Sequence, residues 1–145
     1  MKRALILVAC LIVALVAAAY FVLDARTYRL TAASMEPTLH CARPAPLCRA
    51  RTADRVVALK YVLVSPARGD LVVFHAPIRA RAACGLMPGA ILIKRITRIV
   101  NGRYFLRGDN PGASCDSRVW GTVPRSSLIG RVVATYWPLR RIGTH

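Results

Sequence analysis

The sequence predicts a mainly β domain that follows one apolar N-terminal helix. Three observations support this fold class. The stretch from Ala4 to Leu23 carries no charge, the rest of the chain breaks into short apolar runs separated by Gly and Pro, and no long helical period appears after the first stretch. At 145 residues the chain is long enough for one compact domain.

The N-terminal stretch predicts a membrane-spanning helix. Its twenty residues match the roughly 20 that cross a bilayer as a helix. Lys2 and Arg3 precede it and favour a cytoplasmic N-terminus, which leaves the remainder outside, on the periplasmic side of the inner membrane. A cleaved signal peptide is the alternative, because Ala17-Ala18-Ala19 resembles a cleavage site. We therefore predict an anchor over residues 1–26 and an exported domain over 27–145.

The exported part reads as short strands joined by loops. Asn101-Gly102 is a two-residue hairpin signal between two apolar runs. Loops are predicted where Pro, Gly and Cys cluster, over residues 40–53, 76–90 and 108–121. The predicted strands cover residues 27–33, 56–64, 71–74, 91–100, 104–106 and 128–136.

The charge of +16 restricts the partners of the protein. Basic domains attract phosphate, so nucleic-acid binding is one interpretation. The arginines are scattered, however, and no nucleic-acid motif appears. Anionic lipid headgroups next to an anchored domain are the partner that we predict, and nucleic acid is not expected.

Four of the five cysteines fall in the exported part, and Cys10 lies in the apolar helix. Four cysteines in a small exported domain predict two disulfides with three possible connectivities. Local pairing of Cys41 with Cys48 is plausible because they bracket a loop with two prolines, and Cys84 would then pair with Cys115. The cysteines form no CxxC pair and the three histidines are isolated, so we expect no metal and no cofactor.

Ser34 and Lys94 are the candidate catalytic pair. The chain has 22 Lys and Arg but only three lysines, and Lys94 is kept inside an apolar run. A desolvated lysine can lose its proton and act as a base, whereas arginine cannot. A serine beside such a lysine is an activated nucleophile. The alternatives are a lysine that reaches solvent from a strand end, or a histidine base such as His40 or His75.

Four segments resemble the conserved boxes of type I signal peptidases, and the resemblance covers most of the chain from Thr31 to Arg131. The run Ser34-Met35-Glu36-Pro37-Thr38-Leu39 resembles the nucleophile box, and Asp54 to Lys60 resembles the intervening strand. Arg68 to Phe74, followed by Lys94-Arg95, resembles the lysine box. The third catalytic-domain box is matched by Gly108-Asp109-Asn110, Ser114, Asp116-Ser117-Arg118 and Gly121.

The resemblance implies a small β catalytic domain with a Ser-Lys dyad. Ser34 is then the nucleophile, and Lys94 is the general base. Ser114 orients the lysine, and Asp116 with Arg118 forms a structural ion pair at the site. Some relatives have a hydroxyl two residues before the nucleophile for the oxyanion, a position that is Ala32 here.

The substrate side of the site follows from the same resemblance. An extended peptide would lie between the strands that precede Ser34 and Lys94, where it gains main-chain hydrogen bonds. The family prefers small residues at the first and third positions before the cut. Met35, Ile91 and Ile93 are the candidate pocket walls, and plain core packing is the alternative for each.

The resemblance predicts a membrane-bound serine endopeptidase that removes signal peptides from exported preproteins. One alternative is a dedicated maturation peptidase of the conjugation or pilus type, which the small size and the cysteine-bearing insertion suit. Another, of a different class, is a non-catalytic basic protein of the membrane surface. A Cys84–Cys115 bond would tie the insertion over residues 78–89 beside Ser114 and so hold the partner of the lysine in place.

Overall fold

A computed structural model describes residues 2–42, 48, 52–61 and 64–145, without the side chains of residues 2–4, 22 and 23. Its described strands are β1 (Ala25–Arg29), β2 (Arg55–Lys60), β3 (Leu71–His75), β4 (Ile91–Val100), β5 (Arg103–Arg107), β6 (Leu128–Trp137) and β7 (Gly143–Thr144). They form one antiparallel sheet of seven in the order β1-β2-β6-β3-β4-β5, with β7 paired to β6. The predicted mainly β fold is confirmed.

The chain begins with helix α1 (Lys2–Asp24), which leads directly into β1. Large apolar side chains between Leu5 and Phe21 are exposed around this helix. Across the residues that the structure describes, no helix is both long and apolar enough to cross a membrane. The predicted membrane-spanning helix is therefore not confirmed.

The apolar runs of the sequence locate most of the strands. β4 covers the predicted residues 91–100, and β3, β5 and β6 extend the predicted runs by one or two residues. The first two predictions are shifted, because β1 ends at Arg29 and β2 ends at Lys60. The end of the second predicted run, and much of the predicted loop over residues 40–53, lie outside the described residues.

Two of the predicted loops contain short helices, α2 (Ile78–Cys84) and α3 (Ser117–Trp120). The prediction of a loop over residues 76–90 is wrong in part, since its Pro and Gly residues flank the helix instead of interrupting it. Pro77 occupies the N-cap of α2, and Gly85 ends it in the left-handed conformation at φ 63°. The Arg and Ala residues between them are good helix formers.

β3 lies near the centre of the sheet and is buried on both faces. Its alternating side chains enter two different apolar clusters. Leu71 and Val73 pack with the segment that carries Ser34, which contributes Met35 and Leu39. Val72 and Phe74 pack in the second cluster, to which α2 and α3 contribute Ala80 and Trp120. The sheet thus holds the serine segment on one face and the two short helices on the other.

Candidate active site

Ser34 lies in a 3-10 turn, Ala33–Met35, between β1 and β2. Met35, the last residue of the turn, and Leu39, which follows it, are fully buried and fix the turn to the core. Ser34 itself is half-buried. Asn110 also holds the turn, because its backbone N–H donates to the Ser34 carbonyl at 3.0 Å and its side-chain amide donates to the Ala33 carbonyl at 3.2 Å.

Gly108 allows this turn to approach the end of β5. A Cβ atom at position 108 would lie 2.2 Å from the Ser114 Oγ and 2.4 Å from the Ser34 carbonyl oxygen. Neither distance is possible for a real side chain, so only glycine fits. Because Gly108 has no side chain, the Ser34 turn and the Ser114 hydroxyl can both pack directly against its Cα atom.

Lys94 lies in the middle of β4, opposite Val72 of β3, and only 3% of its surface is exposed. Burial disfavours the charged ammonium and is the main reason that the pKa of Lys94 falls to about 8. Asp116 and Asp109 oppose this decrease, and Arg118 adds to it. A lysine with this pKa is partly neutral near neutral pH and can accept a proton.

The Asp116 carboxylate organises the surroundings of Lys94. It is fully buried and accepts hydrogen bonds from the Gly108 N–H at 3.0 Å, the Ser114 hydroxyl at 2.8 Å and the Arg118 Nε at 2.8 Å. Burial alone favours the neutral acid, but the donors from Arg118, Gly108 and Ser114 outweigh it and hold the pKa of Asp116 below its usual range. Asp116 is therefore an anion that fixes Ser114 and pairs with Arg118.

A second ion pair also acts on Lys94 through its carboxylate. Arg95 binds the Asp109 carboxylate through two hydrogen bonds, from Nε at 2.9 Å and from Nη2 at 2.7 Å. Burial raises the pKa of Asp109, but the hydrogen bonds from Arg95 and Thr38 prevail and lower it. Each carboxylate near Lys94 is thus paired with an arginine, which limits how far it can stabilise the lysine ammonium.

A groove of about 110 Å³ runs between the segment before Ser34 and the start of β4. Ser34 is in this lining, and Lys94 follows its last strand residue, Ile93, in sequence. The lining residues are Tyr28, Arg29, Leu30, Thr31, Ala32, Ser34, Ile91, Leu92 and Ile93.

The groove contains two of the three predicted wall residues. Ile91 is 46% exposed and Ile93 is largely buried, and both line it. Met35 is fully buried in the core and is not among the lining residues. Ala32 lines the groove without a hydroxyl, as the sequence indicates.

Both predicted disulfides are formed, Cys41–Cys48 and Cys84–Cys115. The first packs with Ala33 and Ala113, which adjoin Ser34 and Ser114 in sequence. The second connects the end of α2 to the residue after Ser114. Each disulfide therefore supports one of the two serine-bearing segments. Among the described residues, no cluster of three His, Cys, Asp or Glu side chains is placed to hold a metal ion.

Sequence reasoning missed two contributions to this site. Asn110 was quoted only as part of a motif. Its hydrogen bond to the Ser34 turn joins residues 76 positions apart in sequence, so no local pattern reveals it. The Arg95–Asp109 pair was also missed, although both residues belong to the matched motifs. Its signal was available, since Arg95 and Asp109 carry opposite charges, and Asp109 follows two residues after the end of β5, the strand that pairs with β4.

Together the fold and the groove define an antiparallel β-sheet protein with a serine in a groove and a buried lysine on the strand that forms one side of that groove. Residues 2–99 and 97–137 match the family described as signal peptidase, peptidase S26. The chain belongs to this signal peptidase family.

Curated relatives agree with this membership. The chain is 29% identical over 159 residues to a probable signal peptidase I-2 of Synechocystis sp., which covers 85% of this chain and 67% of that protein. It is 29% identical to a signal peptidase I of Leptolyngbya laminosa, over 62% of this chain and 63% of the relative. A mitochondrial inner membrane protease subunit 1 of Xenopus tropicalis is 33% identical, over 52% and 53% of the two chains. The chain thus spans between 53% and 67% of the length of these relatives.

Proposed function

We propose that this protein is a signal peptidase of the serine endopeptidase class, which cleaves N-terminal signal peptides from exported preproteins after small residues. Ser34 is the nucleophile and Lys94 the general base. One observation carries the proposal: a lysine that is 97% buried, with a pKa of about 8, follows directly on the strand residues that line a groove with Ser34. Family membership and the names of the relatives support it.

The proposed reaction begins with the neutral amine of Lys94. As the Ser34 Oγ forms a bond to the carbon of the scissile carbonyl, the Lys94 Nζ takes the hydroxyl proton. The tetrahedral intermediate collapses, the C–N bond breaks, and the same proton passes from Lys94 to the departing amine. Water then attacks the acyl-enzyme while Lys94 takes its proton, and the proton returns to Ser34 as the acid leaves.

The oxyanion of the intermediate needs preorganised hydrogen-bond donors. We assign the first to the backbone N–H of Ser34, which is in the rigid 3-10 turn. Position 32 is alanine and contributes no second donor from its side chain. Ser114 is a positioning residue in this proposal, because its hydroxyl is fixed by Asp116 next to the lysine.

The groove supports an extended peptide as substrate. β4 and the segment after β1 form its two sides, so an extended chain can align with backbone on both. Ile91 and Ile93 project alternate positions of one strand into this region, and we propose that they narrow the groove against large side chains. The small volume of about 110 Å³ agrees with a preference for small residues.

We further propose that α1 associates with the membrane and that the sheet domain lies on its outer side. The exposed apolar side chains of α1 support this location, and only ten residues separate Leu23 from Ser34. The nucleophile would then lie near the bilayer, where a membrane-held signal peptide presents its cleavage site. Fractionation of cells that express the full chain would test the location, and recovery in the soluble fraction would contradict it.

The activity is tested by incubating the purified full chain in detergent with a preprotein that carries a signal peptide. We expect cleavage by the wild type and none by Ser34→Ala or Lys94→Ala. A matched control is Ser126→Ala, an exposed serine at a distant 3-10 turn, which should cleave like the wild type. Cleavage by Ser34→Ala would overturn the assigned nucleophile, and absence of cleavage by the wild type on several preproteins would favour a dedicated substrate or a non-catalytic protein.

A further inference from the structure

A basic pocket lies on the sheet beside the candidate active site. It has a volume of about 410 Å³ and is lined by Arg68, Thr97, Arg98, Phe105, Arg107 and Arg118. Four of these six residues are arginines and none is acidic. We call this site the arginine pocket. Such a concentration of one charge in a concave site creates a positive field that attracts anions.

Within the described part of the chain, three of the four arginines are in no ion pair. Arg118 is paired with Asp116, whereas no acidic side chain in the described part of the chain forms an ion pair with Arg68, Arg98 or Arg107. The Nε of Arg107 is buried and makes no hydrogen bond in the structure. A buried donor without an acceptor is costly, so this N–H is suited to an anion that enters the pocket.

The backbone fixes the arrangement of the pocket. The β4–β5 ladder shifts register between Ile96 and Arg98, so that Arg98 lies opposite Phe105. This bulge places the Arg98 guanidinium 4.6 Å from the centre of the Phe105 ring. Thr97, the extra residue, donates its hydroxyl to the Phe105 carbonyl at 3.2 Å. The Arg98 side chain is therefore held by stacking, which leaves its N–H groups free to bind an anion.

We propose that the arginine pocket binds the phosphate group of an anionic phospholipid. Guanidinium groups donate two parallel hydrogen bonds to phosphate oxygens, and several arginines around one cavity match a tetrahedral oxyanion. A phospholipid is favoured over free phosphate because exposed apolar residues accompany the arginines, with Ile99 and Val100 after Arg98 and Val119 after Arg118. Apolar side chains next to phosphate-binding arginines suit a bilayer surface.

The pocket adjoins the active site through Arg118, which contacts both Asp116 and the pocket. A bound headgroup would orient the sheet domain on the bilayer with the Ser34 groove at a fixed height. This inference does not depend on Ser34 as a nucleophile, since binding is measured separately from cleavage.

The test uses NMR of the full chain, labelled at the arginine side chains with ¹⁵N, in a non-ionic detergent that contains no phosphate group. Dihexanoylphosphatidylglycerol and inorganic phosphate are titrated separately, and the Nε–Hε signals and the Kd are recorded. We expect the signal of Arg107 to shift on addition of the lipid. Arg98→Gln and Arg107→Gln should each weaken lipid binding about tenfold, since each removes charge-assisted hydrogen bonds.

The matched control is Arg79→Gln, which removes the same charge from an exposed position on α2. It should change the Kd by less than about twofold. Equal weakening by Arg79→Gln would show that net charge alone attracts the lipid and would overturn the proposal. Binding of inorganic phosphate without binding of the lipid would overturn the lipid assignment. Thermal melting confirms that each variant is folded, and the exposed Arg98 provides a test if Arg107→Gln is not.

Discussion

Two lysines of the sheet show how position determines the chemistry of one residue type. Lys60 ends β2, and its side chain is 45% exposed and paired with Asp24 at 2.5 Å. Lys94 lies in the middle of β4, is only 3% exposed, and is near two carboxylates that are already bound to Arg95 and Arg118. The Lys60 ammonium contacts solvent and pairs directly with Asp24. The Lys94 amine is almost fully removed from solvent, and the carboxylates near it are paired with arginines.

The difference shows that hydration and paired anions decide whether a lysine stays protonated or can act as a neutral base. An ammonium in contact with solvent is stabilised by hydration, so an exposed ion pair adds little. Around Lys94 the loss of hydration dominates and the nearby anions compensate only in part, which gives the pKa of about 8. The arginines limit that compensation, since they already bind Asp109 and Asp116.

Exchange of each lysine for arginine should separate the two positions most strongly. Lys94→Arg keeps the charge but cannot lose its proton, so we expect kcat/KM for preprotein cleavage to fall by about 10³-fold or more. Lys60→Arg can keep the ion pair with Asp24 and should leave kcat/KM unchanged. A Lys94→Arg variant with full activity would rule out a neutral lysine as the base.

The buried lysine should also reduce the stability of the protein. The pKa of Lys94 falls from its usual 10.5 to about 8 in the folded protein. This difference corresponds to a loss of about 3 kcal/mol in the free energy of unfolding at neutral pH. Lys94→Met should therefore raise the free energy of unfolding by up to about 3 kcal/mol near pH 7, as measured by urea denaturation. Lys60→Met, at an exposed site, should change it by less than about 1 kcal/mol.

The pH dependence of this gain has a defined sign. Between about pH 8 and pH 10.5 the unfolded state holds a proton on Lys94 that the folded state has released. The wild type therefore becomes more stable as pH rises through this window, and the advantage of Lys94→Met should disappear towards its upper end. An advantage that stays constant between about pH 7 and pH 10 would contradict the lowered pKa.

The carboxylates near the two lysines should differ in their effect on catalysis. Asp116→Asn releases Ser114 and Arg118, and we expect kcat to fall about 10²-fold because the site loses its geometry.

The pH profile of the reaction should also change in this variant. In the wild type, kcat/KM should rise with pH to a plateau above about pH 8. In Asp116→Asn the rise should occur at lower pH, since Asp116 raises the pKa of Lys94. Asp24→Asn, beside Lys60, should leave the profile in place.

The Cys84–Cys115 disulfide, which adjoins Ser114 and Asp116 in sequence, should give the smallest effect. Cys84→Ser combined with Cys115→Ser opens a link across 31 residues and should lower the free energy of unfolding by about 2 kcal/mol. We expect kcat/KM to fall a few-fold, because the segment with Ser114 and Asp116 loses its tie to α2. Cys10→Ser changes an exposed free cysteine and is the control. An unchanged melting temperature and activity in the double variant would refute the supporting role.

Local patterns predicted the parts of the fold that depend on local chemistry. The apolar run of β4 and the Asn101-Gly102 turn are properties of neighbouring residues. Helix α2 was missed because Pro and Gly signals were read as loop, although they only flank the Ala and Arg run. Met35 was placed at the groove by its position next to Ser34, but the 3-10 turn directs its side chain into the core.

The sequence by itself determined the residue types that could do the chemistry, with one lysine in an apolar run, a serine in a motif, and four cysteines for two disulfides. The tertiary structure decided which of them lie close together. Gly108 lets the Ser34 turn and Ser114 meet, and Asn110 holds that turn from 76 residues away. The burial that lowers the pKa of Lys94 is also a property of the assembled sheet, because desolvation depends on every strand and loop packed around the amine.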